Sequence, residues 1–223
     1  MSKQSQQVMR GLLSVWGDFS SSLNKVPVID KLNRGRFRVE DYKELLRNQR
    51  QQVVEGSCWI ARAASSITQE YADHRSTFIR HAVTEHRDYR MLEDNYVSLG
   101  GKLEEITGAE KNIGSEALNA FMFHRATQPN PFDLLGGMFI IEGLGQKKAG
   151  EWGRAIQKQL SLQDEQVSFM LYHAANDDDH MKEFEETLES GILDIPQMGA
   201  RIVKTAKTVA RLYRLQLEEL GNC

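Results

Sequence analysis

Only four prolines, Pro27, Pro129, Pro131 and Pro196, interrupt a chain of 223 residues. Proline lacks a backbone N–H and clashes with the preceding turn, so it ends or bends a helix. Between these positions, apolar residues recur at i, i+3, i+4 and i+7, the spacing that lines one helix face. The pattern predicts helices over roughly 3–23, 39–67, 74–98, 112–126, 131–160, 163–189 and 195–219. Asn130 before Pro131 reads as an N-cap with proline at the first helical position. Ser161 with Asp164 fits a capping box, Asp194 is placed to cap the last helix, and Gly100-Gly101 closes the third. Nothing alternates like a strand, repeats or is of low complexity. The expected fold is all-α: residues 1–223 as a single-domain bundle of about seven helices.

Composition narrows the function. The chain is 40% hydrophobic and 26% charged, with a net charge of −3. It has no basic block to bind nucleic acid and no basic amphipathic segment for a membrane surface. Apolar runs such as LLGGMFII are too short to span a bilayer. The opening MSKQSQQVMRGLLSVW lacks a signal peptide's apolar core and cleavage site. Two cysteines, Cys58 and Cys223, make neither a disulfide framework nor a zinc motif, and Cys58 reads as a small apolar residue. A cytoplasmic, reduced setting is expected.

The stretch YHAANDDDH, residues 172–180, carries the first chemical signal. A helix turns about 100° per residue. Relative to His173, Asp177 lies near +40° and His180 near −20°, whereas Asp178 and Asp179 point well away. Imidazole and carboxylate on one stripe form a ligand set that iron, manganese and zinc accept. A solvated acidic face is the competing reading. HAVTEHRD, residues 81–88, repeats the spacing as His81, Glu85 and Asp88, again predicting one shared stripe.

A third element is LLGGMFIIEGLG, residues 134–145, where Glu142 is the only charge in an apolar and glycine run. A buried carboxylate costs several kcal/mol unless paired or ligated. Glycine within a helix costs about 1 kcal/mol relative to alanine. Gly136, Gly137, Gly143 and Gly145 therefore imply close approach of a backbone or a ligand. Pairing of Glu142 with an arginine, or its protonation, is the alternative to ligation. Met138, Phe139 and Ile141 would line a substrate pocket or belong to the core. Facing helices of a bundle can build dinuclear carboxylate sites from such side chains.

LLGGMFIIEGLGQKKAGEWGRAIQKQL and HAVTEHRDYRMLEDNYVSLGG resemble the fifth-helix region and the preceding helix of the heme-oxygenase-like superfamily. The resemblance spans about residues 39–190. Heme oxygenases bind heme through a histidine on their first helix; here the first histidine is His74, so no heme is expected. TenA-type thiaminases carry a cysteine nucleophile on the E-G helix, and residues 131–160 contain no cysteine. The His/Arg/Tyr pocket of PqqC-type oxidases has no match.

The pattern is most similar to the diiron oxidase and oxygenase branch, with Glu plus His on one helix, Glu on the next core helix, then H-x3-D-x2-H. That resemblance implies Glu85, Glu142, His173, Asp177 and His180 as ligands to a dinuclear iron, or manganese, site. Where relatives place the remaining histidine, this chain has Leu92 or Asp88, leaving His81 or Asp88 as the sixth ligand. The implied reaction is oxidation by O2 of a small amine, amino acid or fatty acid. A TenA-like metal-independent hydrolase or thiamin-pyrimidine-binding protein, and a non-catalytic domain with a degenerate site, are the alternatives. Ile202, Val203, Ala206, Val209, Ala210 and Tyr213 make the last helix amphipathic, fit to close the core or to form a homodimer face.

Overall fold

The computed structural model describes residues 2–221, except the side chains of residues 176–182. The described residues form twelve α-helices and no strand. They are α1 (Lys3–Leu23), α2 (Pro27–Asn33), α3 (Val39–Val53), α4 (Gly56–Ser66), α5 (Ala72–Glu85), α6 (Tyr89–Ser98), α7 (Leu103–Thr107), α8 (Ile113–Ala126), α9 (Leu135–Leu144), α10 (Gly150–Leu160), α11 (Ser168–Glu189) and α12 (Met198–Glu218). A π-helical segment, Gly145–Ala149, joins α9 to α10 without a break in the helical run. No described helix is long and apolar enough to cross a membrane.

The all-α expectation holds, with more and shorter helices than periodicity alone implies. The predicted helix over 39–67 divides at Val54-Glu55, and that over 74–98 divides at 86–88. Periodicity survives such breaks, because one tight turn shifts the face by only a fraction of a helical turn. Helices α2 and α7, of seven and five residues, are too short to leave a periodic signature. Gly100 does end α6, at φ +77°. Three predicted caps fail. Asn130 has φ +47° and accepts from the Thr68 backbone N–H (2.8 Å), tying two connections together instead of starting a helix. Ser161 is the left-handed C-cap of α10. Asp194 lies in a 3₁₀ turn ahead of α12, whose N-cap is Gln197.

Helix α9 is buried almost all round and forms the centre of the bundle. It packs on α12, which also meets α1 and α8. The glycines explain how. A Cβ on Gly136 would lie 2.0 Å from the Ile202 carbonyl oxygen, and one on Gly114 would lie 2.2 Å from the Gln216 nitrogen. Both are contacts with α12 backbone, so α8 and α9 approach it more closely than any side chain allows. Asp133, just before α9, is almost fully buried and fixes the entry. It accepts from Arg125 Nε on α8 (2.8 Å) and from the Thr205 hydroxyl on α12 (3.0 Å). Ile202, Ala206 and Val209 are fully buried within the chain, so this face of α12 closes the core. A dimer would have to use another surface.

Gly136→Ala is expected to lower stability by about 1–3 kcal/mol or more through overpacking against backbone. Gly17→Ala, at a helical position with open space, is expected to be neutral or stabilising by up to about 1 kcal/mol. Urea unfolding midpoints measured side by side check the pair.

Candidate metal centre

Two junctions bring the acid and histidine side chains together. At the first, α5 faces α9. His81 Nε2 lies 3.4 Å from Glu142 Oε1 and 3.9 Å from Glu85 Oε1. At the second, the start of α6 faces α11, with His173 Nε2 3.5 Å from Asp88 Oδ2. All five side chains are largely buried, between 11% and 22% exposed. Glu142 thus meets a histidine from another helix.

The predicted stripe of His81, Glu85 and Asp88 runs across a break in the helix at 86–88. The helix tightens between Glu85 and Tyr89, where Asp88 N bonds Glu85 O (3.4 Å) and Met91 N bonds Asp88 O (3.1 Å). Such i→i+3 bonds wind about 120° per residue in place of 100°. Beyond this turn Asp88 meets His173 of α11, while His81, before it, meets Glu142 of α9. No proline or glycine lies at 86–88, so the sequence carries no local mark of the break.

Buried Asn95, on α6, holds α11 in place. Its Nδ2 donates to Glu165 O (2.7 Å) and Ser168 Oγ (2.8 Å), and its Oδ1 accepts from Phe169 N (3.3 Å). Phe169 in turn packs its ring 4.5 Å from that of His173. On the other side, α10 fits close to α11 through glycine. A Cβ on Gly150 or Gly153 would lie 3.0 Å from Ala174 Cβ or Met170 Cβ. The π segment that follows Glu142 also packs on α11. π-Bulges are frequent at functional sites, where they redirect a helix face.

His81, Glu85, Glu142 and His173 line one cavity of about 130 Å³. Its remaining walls are mostly apolar and include Leu46, Trp59, Met138, Ile141 and Trp152. Of the residues expected to line a pocket or the core, Met138 and Ile141 do line the cavity, while Phe139 packs in the core against Phe184 (5.4 Å). Leu92 is buried in the wall. Gln49, Gln52 and Tyr213 also face the cavity, and residue spacing did not reveal them. Tyr213 was readable only as part of an apolar stripe, and glutamines on charged α3 carry no signal of their own. Cys58, expected as a small apolar residue, is exposed on α4. His74 meets Ser190 Oγ at 2.5 Å, and burial lowers its pKa.

The side chains of Asp177 and His180 lie outside the described residues, although α11 runs through both positions. Among the described residues, no three histidine, cysteine, aspartate or glutamate side chains converge closely enough to hold a metal ion. The donor chemistry nevertheless suits iron or manganese, since three carboxylates and two imidazoles supply mixed oxygen and nitrogen donors, and four of the five line one cavity.

Comparison with known proteins agrees with this architecture. A family model described as iron-containing redox enzyme matches residues 49–214, and the chain belongs to that family. No curated protein matches it in sequence. Among solved structures it is similar to a domain of unknown function with a heme oxygenase-like fold from Shewanella denitrificans. That match has a TM-score of 0.87 and 18% identity, covering 97% of this chain and 91% of the other. It is also similar to a TenA homologue from P. horikoshii (TM-score 0.76, 14% identity, 99% of both chains). A TenA homolog from Pseudomonas syringae pv. tomato matches with TM-score 0.74 and 11% identity, over 99% of this chain and 93% of that one. The fold is heme oxygenase-like.

The His81–Glu142 contact predicts a non-additive mutant cycle. His81→Leu alone is expected to cost on the order of 1–3 kcal/mol, because it strips a partner from a buried carboxylate. Combined His81→Leu and Glu142→Leu should cost less than the sum of the two single changes. Chemical denaturation of the four proteins measures the coupling.

Proposed function

We propose that this protein is a non-heme iron oxidase or oxygenase that uses a dinuclear site and O2 to oxidise a small organic substrate. The observation that carries the reading is one cavity lined by Glu85, Glu142, His81 and His173, in a chain of the iron-containing redox enzyme family. Glu85, Glu142, His173, Asp177 and His180 would hold the metals, with His81 or Asp88 as the sixth ligand; manganese is the alternative ion. Bound there, iron supplies the electrons needed for O2 to react with an organic molecule.

The chain's own contribution is placement and exclusion. Glu85 and Glu142 bring negative charge to offset a divalent ion in a poorly hydrated site. Asp88 contacts His173 and can orient that ring, the usual task of a carboxylate beside a ligand imidazole. The apolar walls keep bulk water from the substrate. Substrate and O2 are the partners in this reading.

A second reading is a TenA-like hydrolase or thiamin-pyrimidine-binding protein, motivated by the TenA homologues among the structural neighbours. Against it stands the absence of any cysteine between residues 131 and 160.

The deciding measurement is iron content after anaerobic loading with Fe(II) and desalting, with His173→Ala and His180→Ala alongside. The expected result is about two irons per chain, lost in both variants. No retained metal, no thermal shift with Fe(II) or Mn(II), and binding of a thiamin-derived pyrimidine in the presence of chelator would favour the second reading.

A further inference from the structure

We propose that a cleft between α1 and α12, separate from the acid–histidine cavity, binds a small organic oxyanion: a phosphate or carboxylate attached to an apolar group. The proposal does not rest on the oxidase reading. Three observations lead to it.

The first is charge. From Arg201 to Arg214, α12 carries five lysines and arginines and no acid, in a chain whose net charge is −3. They stand three or four residues apart, so they form no block in the sequence. On the formed helix, Lys204, Lys207, Arg211 and Arg214 share one face. With its opposite face in the core, α12 is a basic amphipathic helix, contrary to the expectation from composition. Like charges at this spacing destabilise a helix. Only part of the charge is paired. Arg201 Nη2 lies 3.7 Å from Asp133 Oδ1, and Arg214 Nε donates to Glu218 Oε1 (2.7 Å). Among the described residues, the side chains of Lys204, Lys207 and Arg211 make no hydrogen bond or ion pair.

The second is a concave surface for these cations. Helices α1 and α12 touch closely near their starts. A Cβ on Gly11 would lie 2.9 Å from Val203 Cγ2, and one on Gly199 would lie 2.8 Å from Val8 Cγ2. Further along, Phe19 and Tyr213 meet edge-on, with ring centroids 6.3 Å apart. A cleft of about 190 Å³ lies beside Phe19. Tyr213 faces the acid–histidine cavity instead, so this ring pair stands between the two spaces.

The third is the lining. Val15, Phe19 and Ala210 give the cleft apolar surface. Lys207, Arg211 and Arg214 bring three positive charges to it, against one negative charge from Asp18. Among the described residues Asp18 forms no ion pair, so it leaves the cations unneutralised at close range. The planar fork of Arg211 matches two oxygens of a carboxylate or phosphate, and Lys207, one turn earlier, adds a point charge. The apolar surface suits a ring or short chain on the same molecule. A concave site of this size fits a small molecule better than a flat membrane surface.

The test uses the full-length protein after EDTA treatment, so that no bound iron takes up the anion, and follows binding by calorimetry. The probes are phenyl phosphate, benzoate, benzyl alcohol and phosphatidylserine vesicles. At least one of the two anions should bind saturably, and the tighter one tells which oxyanion the cleft prefers. Benzyl alcohol, the neutral ring, should bind more weakly. Arg211→Glu and Lys207→Glu should each weaken the anion about tenfold or more, the loss of a charge-assisted bond. Lys204→Glu makes the same charge change on the same helix outside the cleft and should weaken it about threefold or less. Asp18→Asn should tighten it about two- to fivefold. Positions 207 and 211 are exposed, and matching thermal melts check that these variants fold. No saturable binding of either anion at about 10 mM overturns the inference. So do equal losses in Lys204→Glu and Arg211→Glu, the mark of diffuse surface charge, and vesicle binding without binding of either small anion. None of these outcomes depends on iron, so the oxidase reading stands or falls separately, on metal content.

Discussion

The rest of the structure depends on how closely α9 lies against α12. At Gly136 the two backbones meet with no space for a methyl group, since the Ile202 carbonyl occupies the place of a Cβ. Gly114 makes the equivalent approach from α8. These glycines weaken their own helices, and tight packing against α12 offsets the loss. The buried Asp133, bonded to α8 and α12, then fixes where α9 begins. With the start and one face of α9 set, Glu142 two turns further on has little choice of position. It is carried to the cavity side of α9, where His81 of α5 meets it.

The second half of the site is assembled separately. Asn95 binds the beginning of α11 to α6, and the tight turn at 86–88 swings Asp88 toward His173. The π segment after Glu142 and the glycine contacts at Gly150 and Gly153 hold α11 close from the other side. The acid–histidine group thus sits where three irregularities coincide: a 3₁₀-like turn, a π segment and a glycine-lined helix contact. Each is a departure from ideal helix, and each costs local stability that surrounding packing supports.

Much was legible from the residues themselves. Helical periodicity and sparse proline declare an all-α bundle. The glycine pair before Glu142 announces a close approach, and Gly136 turns out to meet a backbone. Glu142 alone in an apolar run demands a partner. Caps were less legible, because Asn130, Ser161 and Asp194 all have side chains suited to capping, yet Asn130 accepts from distant Thr68, Ser161 closes α10 and Asp194 lies in a 3₁₀ turn. The pairing of donors was not legible at all. Spacing assigns residues to a face of one helix, but whether that helix continues depends on what packs against it.

The amino-acid sequence by itself determined the helical class, the family motifs and the supply of carboxylates and imidazoles, because periodicity and residue chemistry are local properties. Tertiary structure decided which donors meet, His81 with Glu142 and Asp88 with His173. It also decided that Gln52 and Tyr213 face the same cavity. Those relations join residues tens to more than a hundred positions apart, and they are set by the fit of helix surfaces, which no single segment encodes.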